Sequence, residues 1–182
     1  MSHRYIDIRI HRTPELEALP FYVTRHIDTC MEDIHKDEQS DSFRNALVNG
    51  REWETYVAQQ LYECGIDDIH QPEFEASNQN APDIIVNGRH YIEVKSKQIR
   101  FTSPEDFSFS DYIVGSVRGI DEKYHQLIEQ KRGGYMFVLN VSRVTGAIVG
   151  ARFKPEYFFK DGDEWQGLRK HLLPLNKLVQ YM

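Results

Sequence analysis

The 182-residue sequence holds two cysteines, Cys30 and Cys64, and no C-x-x-C pair, which leaves no disulfide framework and no cysteine-built zinc or iron–sulfur site. It also lacks any run near the ~20 consecutive apolar residues that a membrane-crossing helix needs, and Met1-Ser2-His3-Arg4 leads into alternating polar positions instead of an apolar signal core. A cytoplasmic protein without a membrane partner is expected. The eight histidines are scattered and none stands at i, i+4 from another, which argues against a histidine-built zinc site. No Gly-x-Ser-x-Gly elbow, Gly-x-x-x-x-Gly-Lys phosphate loop or dinucleotide fingerprint occurs, so serine hydrolases, P-loop enzymes and dinucleotide enzymes find no support.

Positive charge is in short supply as well. Lys and Arg number 22 against 28 Asp and Glu, a formal charge of −6, where a phosphate-binding protein ordinarily wants an excess of bases. The distribution qualifies that sum. Residues 1–110 carry 11 basic and 20 acidic side chains, whereas residues 111–182 carry 11 basic and 8 acidic. Most of the acid reads as solvated surface, and the question is which carboxylates do something else.

The length suits one domain with a sizeable core. Residues 1–42 read as an appendage and a possible dimerisation element: Ile6, Ile8 and Ile10 alternate as in a half-buried strand, a helical stretch falls within residues 20–36, and residues 36–42 form a polar linker. Residues 43–182 form the main domain. There, Trp53, Val57, Leu61 and Cys64 recur with helical spacing between Gly50 and Gly65, and a strand follows over Ile69 to Glu75. Ile84-Ile85-Val86 and Tyr91 to Lys95 flank the turn signal Asn87-Gly88 as a hairpin. A long aromatic stretch from Arg100 to Gly119 has no regular pattern. Asp121 is placed as the N-cap of a helix carrying Tyr124, Leu127, Ile128 and Lys131, stopped by Gly133-Gly134. Tyr135 to Leu139 and Ala147 to Phe153 read as strands, the first apolar enough to be central. The expected fold class is α/β, with a mixed central sheet flanked by helices.

One hairpin carries charge where a structural strand would not want it. Glu93 and Lys95 are two residues apart, so both project from one face of the strand while Ile92 and Val94 project from the other. Asp83 opens the partner strand. Two carboxylates in a partly buried hairpin repel each other and lose hydration unless a cation compensates them. Lys95 neutralises one; a hard divalent ion such as Mg²⁺ or Mn²⁺ suits a site of carboxylates and main-chain carbonyls. Register sets a condition. Asp83 shares a face with Glu93 only if paired positions sum to an even number, which calls for a three-residue hairpin loop or a bulge, not a tight two-residue Asn87-Gly88 turn.

Pro82-Asp83, nine intervening residues, and Glu93-Val94-Lys95 resemble the signature of the PD-(D/E)XK nuclease superfamily, whose restriction-endonuclease-like core is an αβββαβ unit with the motif on the second and third strands. Gly50, Glu54 and Gly65 also stand at spacings similar to those of the first helix of archaeal-type Holliday junction resolvases in that superfamily. Glu52 competes with Glu54, but Glu54 borders the buried stripe one turn before Ala58. The resemblance covers roughly residues 50–153. It implies that Asp83, Glu93, Glu54 and the carbonyl of Val94 ligate Mg²⁺, which Mn²⁺ can replace, and that Lys95 orients the attacking water. It further implies a Mg²⁺-dependent endodeoxyribonuclease, a phosphodiester hydrolase of restriction-like or phage type acting on DNA; the small size favours a homodimer, since one active site cuts one strand. A Holliday junction resolvase or repair nuclease of the same superfamily, and a non-catalytic binding module on this fold, remain alternatives.

Further substrate contacts are sought in Lys97, which continues the pattern as Glu-x-Lys-x-Lys, and in Arg100, Tyr112, Arg118 and Lys123. The aromatics of residues 100–119 admit two readings: rings that stack on bases, or rings that pack on the core. The bases Arg143, Arg152, Lys154, Arg169 and Lys170 make the second half the better side for phosphate contacts.

Overall fold

The computed structural model describes residues 41–72 and 81–182, with side chains from Gly50 onward. The appendage strand and helix expected before residue 41 lie outside the described residues. Helix α1 spans Asp41–Glu63, so Asp41 and Ser42 belong to a helix and not to a linker. Gly50 lies inside it, where a glycine costs only about 1 kcal/mol relative to alanine and does not break a helix supported by packing. Strands β1 (Ile69–His70), β2 (Ile84–Val86) and β3 (His90–Lys97) follow, then β4 (Asp111–Ser116), helix α2 (Val117–Glu129), β5 (Met136–Ser142) and β6 (Ile148–Arg152). Beyond them come β7 (Phe158–Asp161), β8 (Glu164–Leu168), β9 (Leu173–Pro174) and the short helix α3 (Leu175–Leu178).

The main sheet runs β1-β2-β3-β5-β6-β9, and β4-β8-β7 form a second, three-stranded sheet. β3 and β5 pair in parallel while the other neighbours in the main sheet are antiparallel, the mixed arrangement expected. The parallel pair sits centrally, and β5 is buried along its whole length on both faces. One face meets α1 through Trp53, Val57, Leu61, Ile84, Val86, Ile92, Val94, Phe137 and Leu139. The other holds Tyr91, Met136 and Val138 against Ile120 and Leu127 of α2, with Phe101, Phe107 and Tyr112 filling the rest. Each fully buried side chain of this size contributes roughly 1.5–3 kcal/mol by leaving water.

Three expectations need correction. Residues 100–119 are not wholly irregular: β4 lies within them, and Phe101, Phe107 and Tyr112 form an edge-to-face aromatic chain inside the core. In β4, Tyr112 and Val114 are buried while Asp111 and Ile113 are exposed, although the run Tyr112-Ile113-Val114 shows no alternation in sequence. The α2 helix starts one turn before Asp121, capped by Ser116, whose Oγ accepts a hydrogen bond from Gly119 N at 3.1 Å. Replacing Ser116 with alanine should cost about 1 kcal/mol in urea or thermal unfolding, while Asp121→Ala, which removes no cap, should cost less. Lys131 lies beyond the helix end at φ 50°, where the chain turns toward β5.

Candidate active site

The β2–β3 hairpin pairs Ile84 with Ile92, Ile85 with Tyr91 and Val86 with His90. Each pair sums to an even number, and the loop is the three-residue Asn87-Gly88-Arg89. Asn87 at φ 51° and Gly88 at φ 59° take left-handed conformations, which asparagine and glycine tolerate best. One step beyond Ile84, Asp83 therefore lies opposite Glu93, on the face that also carries Lys95. Asp83 N donates to Ile92 O at 3.2 Å, and Asp83 Oδ2 accepts from Val94 N at 2.7 Å, so both backbone and side chain tie Asp83 to β3.

Glu93 is buried and held at both oxygens. Lys95 Nζ donates to Oε1 at 2.8 Å, and Lys123 Nζ, from α2, donates to Oε2 at 2.5 Å. The two lysines are not alike: the Lys95 side chain is 29% exposed and that of Lys123 only 8%. Glu54 reaches the same cluster from α1, paired to Arg51 Nη1 at 2.5 Å one turn earlier on the helix. Glu52 is buried too, but it is the Glu54 charge that acts on Glu93 and Asp83.

The electrostatics separate the three acids. Burial, then the Glu93 and Glu54 charges, push the Asp83 carboxyl well above the ordinary carboxylate range, and the lysines only partly offset them. Burial likewise raises Glu54 against the opposing pull of Arg51. Burial works to raise Glu93, but Lys95 and Lys123 outweigh it and hold that carboxyl below the usual range. Burial would lower Lys95, yet Glu93 and Asp83 outweigh it and keep the ammonium protonated. Lys97, half-buried, is lowered by burial and by the neighbouring Lys95 charge.

The same cluster contains a residue that the sequence reading missed. Asn140 on β5 stands level with Lys95 in the parallel ladder and is 0% exposed, and among the described residues neither its side-chain amide nitrogen nor its oxygen has a hydrogen-bond partner. Its signal was a lone amide in the otherwise apolar run Met136 to Val141. Lys123 was sought as a surface contact and is instead buried under Glu93. Tyr112 is 3% exposed, closed off from a substrate. Arg118 and Arg100 are exposed, Arg118 paired to Glu122 at 2.8 Å. His90 is buried at the start of β3, its Nδ1 accepting from Tyr135 N at 3.1 Å, a structural contact.

This donor set fits a hard divalent cation in its chemistry. Asp83 is a carboxyl forced upward by burial and then by two other carboxylates, with no cation hydrogen-bonded to it among the described residues, Glu54 is only partly compensated, and all donors are oxygen. Among the described residues no three acidic, histidine or cysteine side chains already close on a single point, because the lysines occupy both oxygens of Glu93.

No protein-family model matches the sequence, and no curated protein matches it. Among solved structures, the chain is similar to Hjc of Archaeoglobus fulgidus, a Holliday junction resolvase from an archaeal hyperthermophile, with a TM-score of 0.50 and 12% identity over 73% of this chain and 97% of that one. The fold is restriction-endonuclease-like. Within it, the αβββαβ order holds as α1, β1, β2, β3, α2 and β5, with β4 set between β3 and α2 as part of the second sheet. The restriction-endonuclease-like core is thus extended by β7, β8 and the C-terminal turns, a part of the chain for which the sequence reading had no counterpart.

Proposed function

We propose that the protein is a metal-dependent nuclease that hydrolyses DNA phosphodiester bonds at the cluster of Asp83, Glu93, Lys95 and Glu54. The observation that carries the reading is the even hairpin register, which sets Asp83 opposite Glu93 with Lys95 on the same face. Asp83, Glu93, Glu54 and the Val94 carbonyl would hold Mg²⁺ or Mn²⁺. When bound, such an ion supplies Lewis-acid activation of a scissile phosphate and lowers the pKa of a water.

The chain's own residues do the rest. Lys95, protonated and the more exposed of the two lysines, is held by its Glu93 contact and would stabilise the charge that develops on a phosphate oxygen. Lys123 is a positioning residue that holds the second oxygen of Glu93. Arg51 orients Glu54, and Val94 N orients Asp83. Lys97 and Arg100 lie beyond Lys95 on the same segment and would meet the flanking backbone.

A branched-DNA substrate is a second reading, supported by the likeness to a junction resolvase nearly all of whose chain is covered. The test is incubation of the full chain with supercoiled, single-stranded and four-way-junction DNA in Mg²⁺, Mn²⁺ or EDTA. Cleavage with metal and none in EDTA is expected, and the preferred substrate separates the two readings. DNA bound but left intact under every metal condition would favour a non-catalytic binding module. A homodimer is expected, because one site cuts one strand; sedimentation of the full chain as a monomer that still makes double-strand breaks would contradict it.

A further inference from the structure

Three segments at the far edge of the main sheet converge on a cavity of about 190 Å³ lined by Arg152, Lys154, Tyr157, Lys170, His171, Leu173, Leu178 and Tyr181. Arg152 ends β6, Lys154 and Tyr157 belong to the turn after it, and Lys170 and His171 lie in the 3-10 turn Arg169–His171. Among the described residues, none that lines the cavity carries a carboxylate side chain. The cluster is set apart from the acidic site by strand and by face: Arg152 pairs with Phe137, which pairs with Ile92, so β5 lies between it and β3 and its side chain leaves the sheet on the face opposite Glu93 and Lys95.

Two of these cations, Arg152 and Lys154, lie over aromatic rings. The Arg152 guanidinium lies over the rings of Tyr135 and Tyr181, its Cζ 4.6 Å and 4.9 Å from their centroids. Lys154 Nζ lies 5.3 Å from the Tyr157 ring, which stacks on His171 at 3.7 Å. None of Arg152, Lys154 and Lys170 forms an ion pair among the described residues. Three cations and a histidine gathered around one cavity repel one another, with Glu156 beside them offsetting only part of that charge, and such a concave field attracts anions. Guanidinium and ammonium groups together match a phosphate, which accepts hydrogen bonds from both.

We propose that this cavity is a phosphate-binding site separate from the acidic cluster, taking the phosphate of a nucleic-acid strand or of a free phosphorylated small molecule. It does not rest on nuclease activity.

Two measurements on the full chain in EDTA test it. In the first, inorganic phosphate is titrated against the imidazole NMR signals, with His171 assigned through His171→Gln and sodium chloride of equal ionic strength as control. The groups acting on His171 are Lys170 and Lys154, which with burial lower its pKa, and Glu156, which opposes them, with Tyr157 stacked on its face. Phosphate should raise the His171 pKa, and K154A/K170A should abolish that rise. In the second, DNA binding by parent and K154A/K170A is compared across salt concentrations. If the strand is the source, affinity falls by about tenfold or more and the slope of log affinity against log salt drops by about one per lost contact. A lost phosphate response with unchanged DNA affinity identifies a free phosphorylated ligand. An unmoved His171 together with unchanged DNA affinity and slope overturns the site. Loss of cleavage in Asp83 variants bears on the acidic cluster alone and leaves this result intact.

Discussion

Asp83→Asn should raise the thermal stability of the metal-free protein at neutral pH and at the same time remove its stabilisation by Mg²⁺. In the folded chain Asp83 is pushed up by burial and by two neighbouring carboxylates, so its folded pKa lies above its unfolded value near 4. The sign follows from linkage. A raised carboxyl contributes stability that is fully present below the unfolded pKa and is lost as pH rises through the folded one. The parent should therefore lose melting temperature relative to Asp83→Asn from about pH 4 upward, and the gap should be widest near neutrality. Asparagine keeps an oxygen for Val94 N, so the hairpin stays tied. Millimolar Mg²⁺ should close the gap by stabilising the parent alone, since a ligand that binds only the folded state adds stability by mass action. Equal melting curves in EDTA at pH 5 and pH 8, with equal Mg²⁺ shifts, would show that Asp83 is not in a strained acidic cluster.

Lys123→Met should destabilise the protein by about 3 kcal/mol, the scale for leaving one member of a buried ion pair without its partner. Lys95 remains on the other oxygen of Glu93, but it is the more exposed of the two and cannot replace a buried hydrogen bond. The double variant Lys123→Met/Glu93→Gln should recover a large part of that loss, because it removes the uncompensated charge as well. Urea denaturation of the four members of the cycle measures the coupling. Additive effects would mean that the Lys123–Glu93 contact does not hold the cluster together. By contrast, Lys95→Met should alter stability less, since its ammonium is partly solvated.

How much of this was legible beforehand differs from element to element. The hairpin and its register were readable because side chains alternate strictly along a strand: once Asp83 and Glu93 are required on one face, the loop length follows. The α1 stripe was readable from Trp53, Val57 and Leu61, and its approach to the sheet carried Glu54 with it. Lys123 was not readable as a partner of Glu93, because the contact joins residues thirty positions apart and depends on the angle at which α2 crosses the sheet. The start of α2 was misplaced because Asp121 and Ser116 both have capping side chains, and β4 delivers the chain to Ser116. That strand was hidden in turn because its partner, β8, comes more than forty residues later, and nothing local announces such a pairing. The aromatics of residues 100–119 allowed two readings until packing chose the core for Phe101, Phe107 and Tyr112. Asn140 stood out in sequence only as one amide among apolar neighbours, and its place beside Lys95 needed the parallel ladder.

The central claim is that Asp83, Glu93, Lys95 and Glu54 form one hydrolytic site. Its most direct test is the single-turnover rate of DNA cleavage in Mg²⁺ by the full chain and by Asp83→Asn, Lys95→Ala and Glu54→Gln, with DNA affinity measured in Ca²⁺ alongside. Each variant should cut at least about a hundredfold more slowly while binding DNA in Ca²⁺ and remaining folded, as expected for groups that act on developing charge. Asp83→Asn and Lys95→Ala cutting at the parental rate would contradict the account.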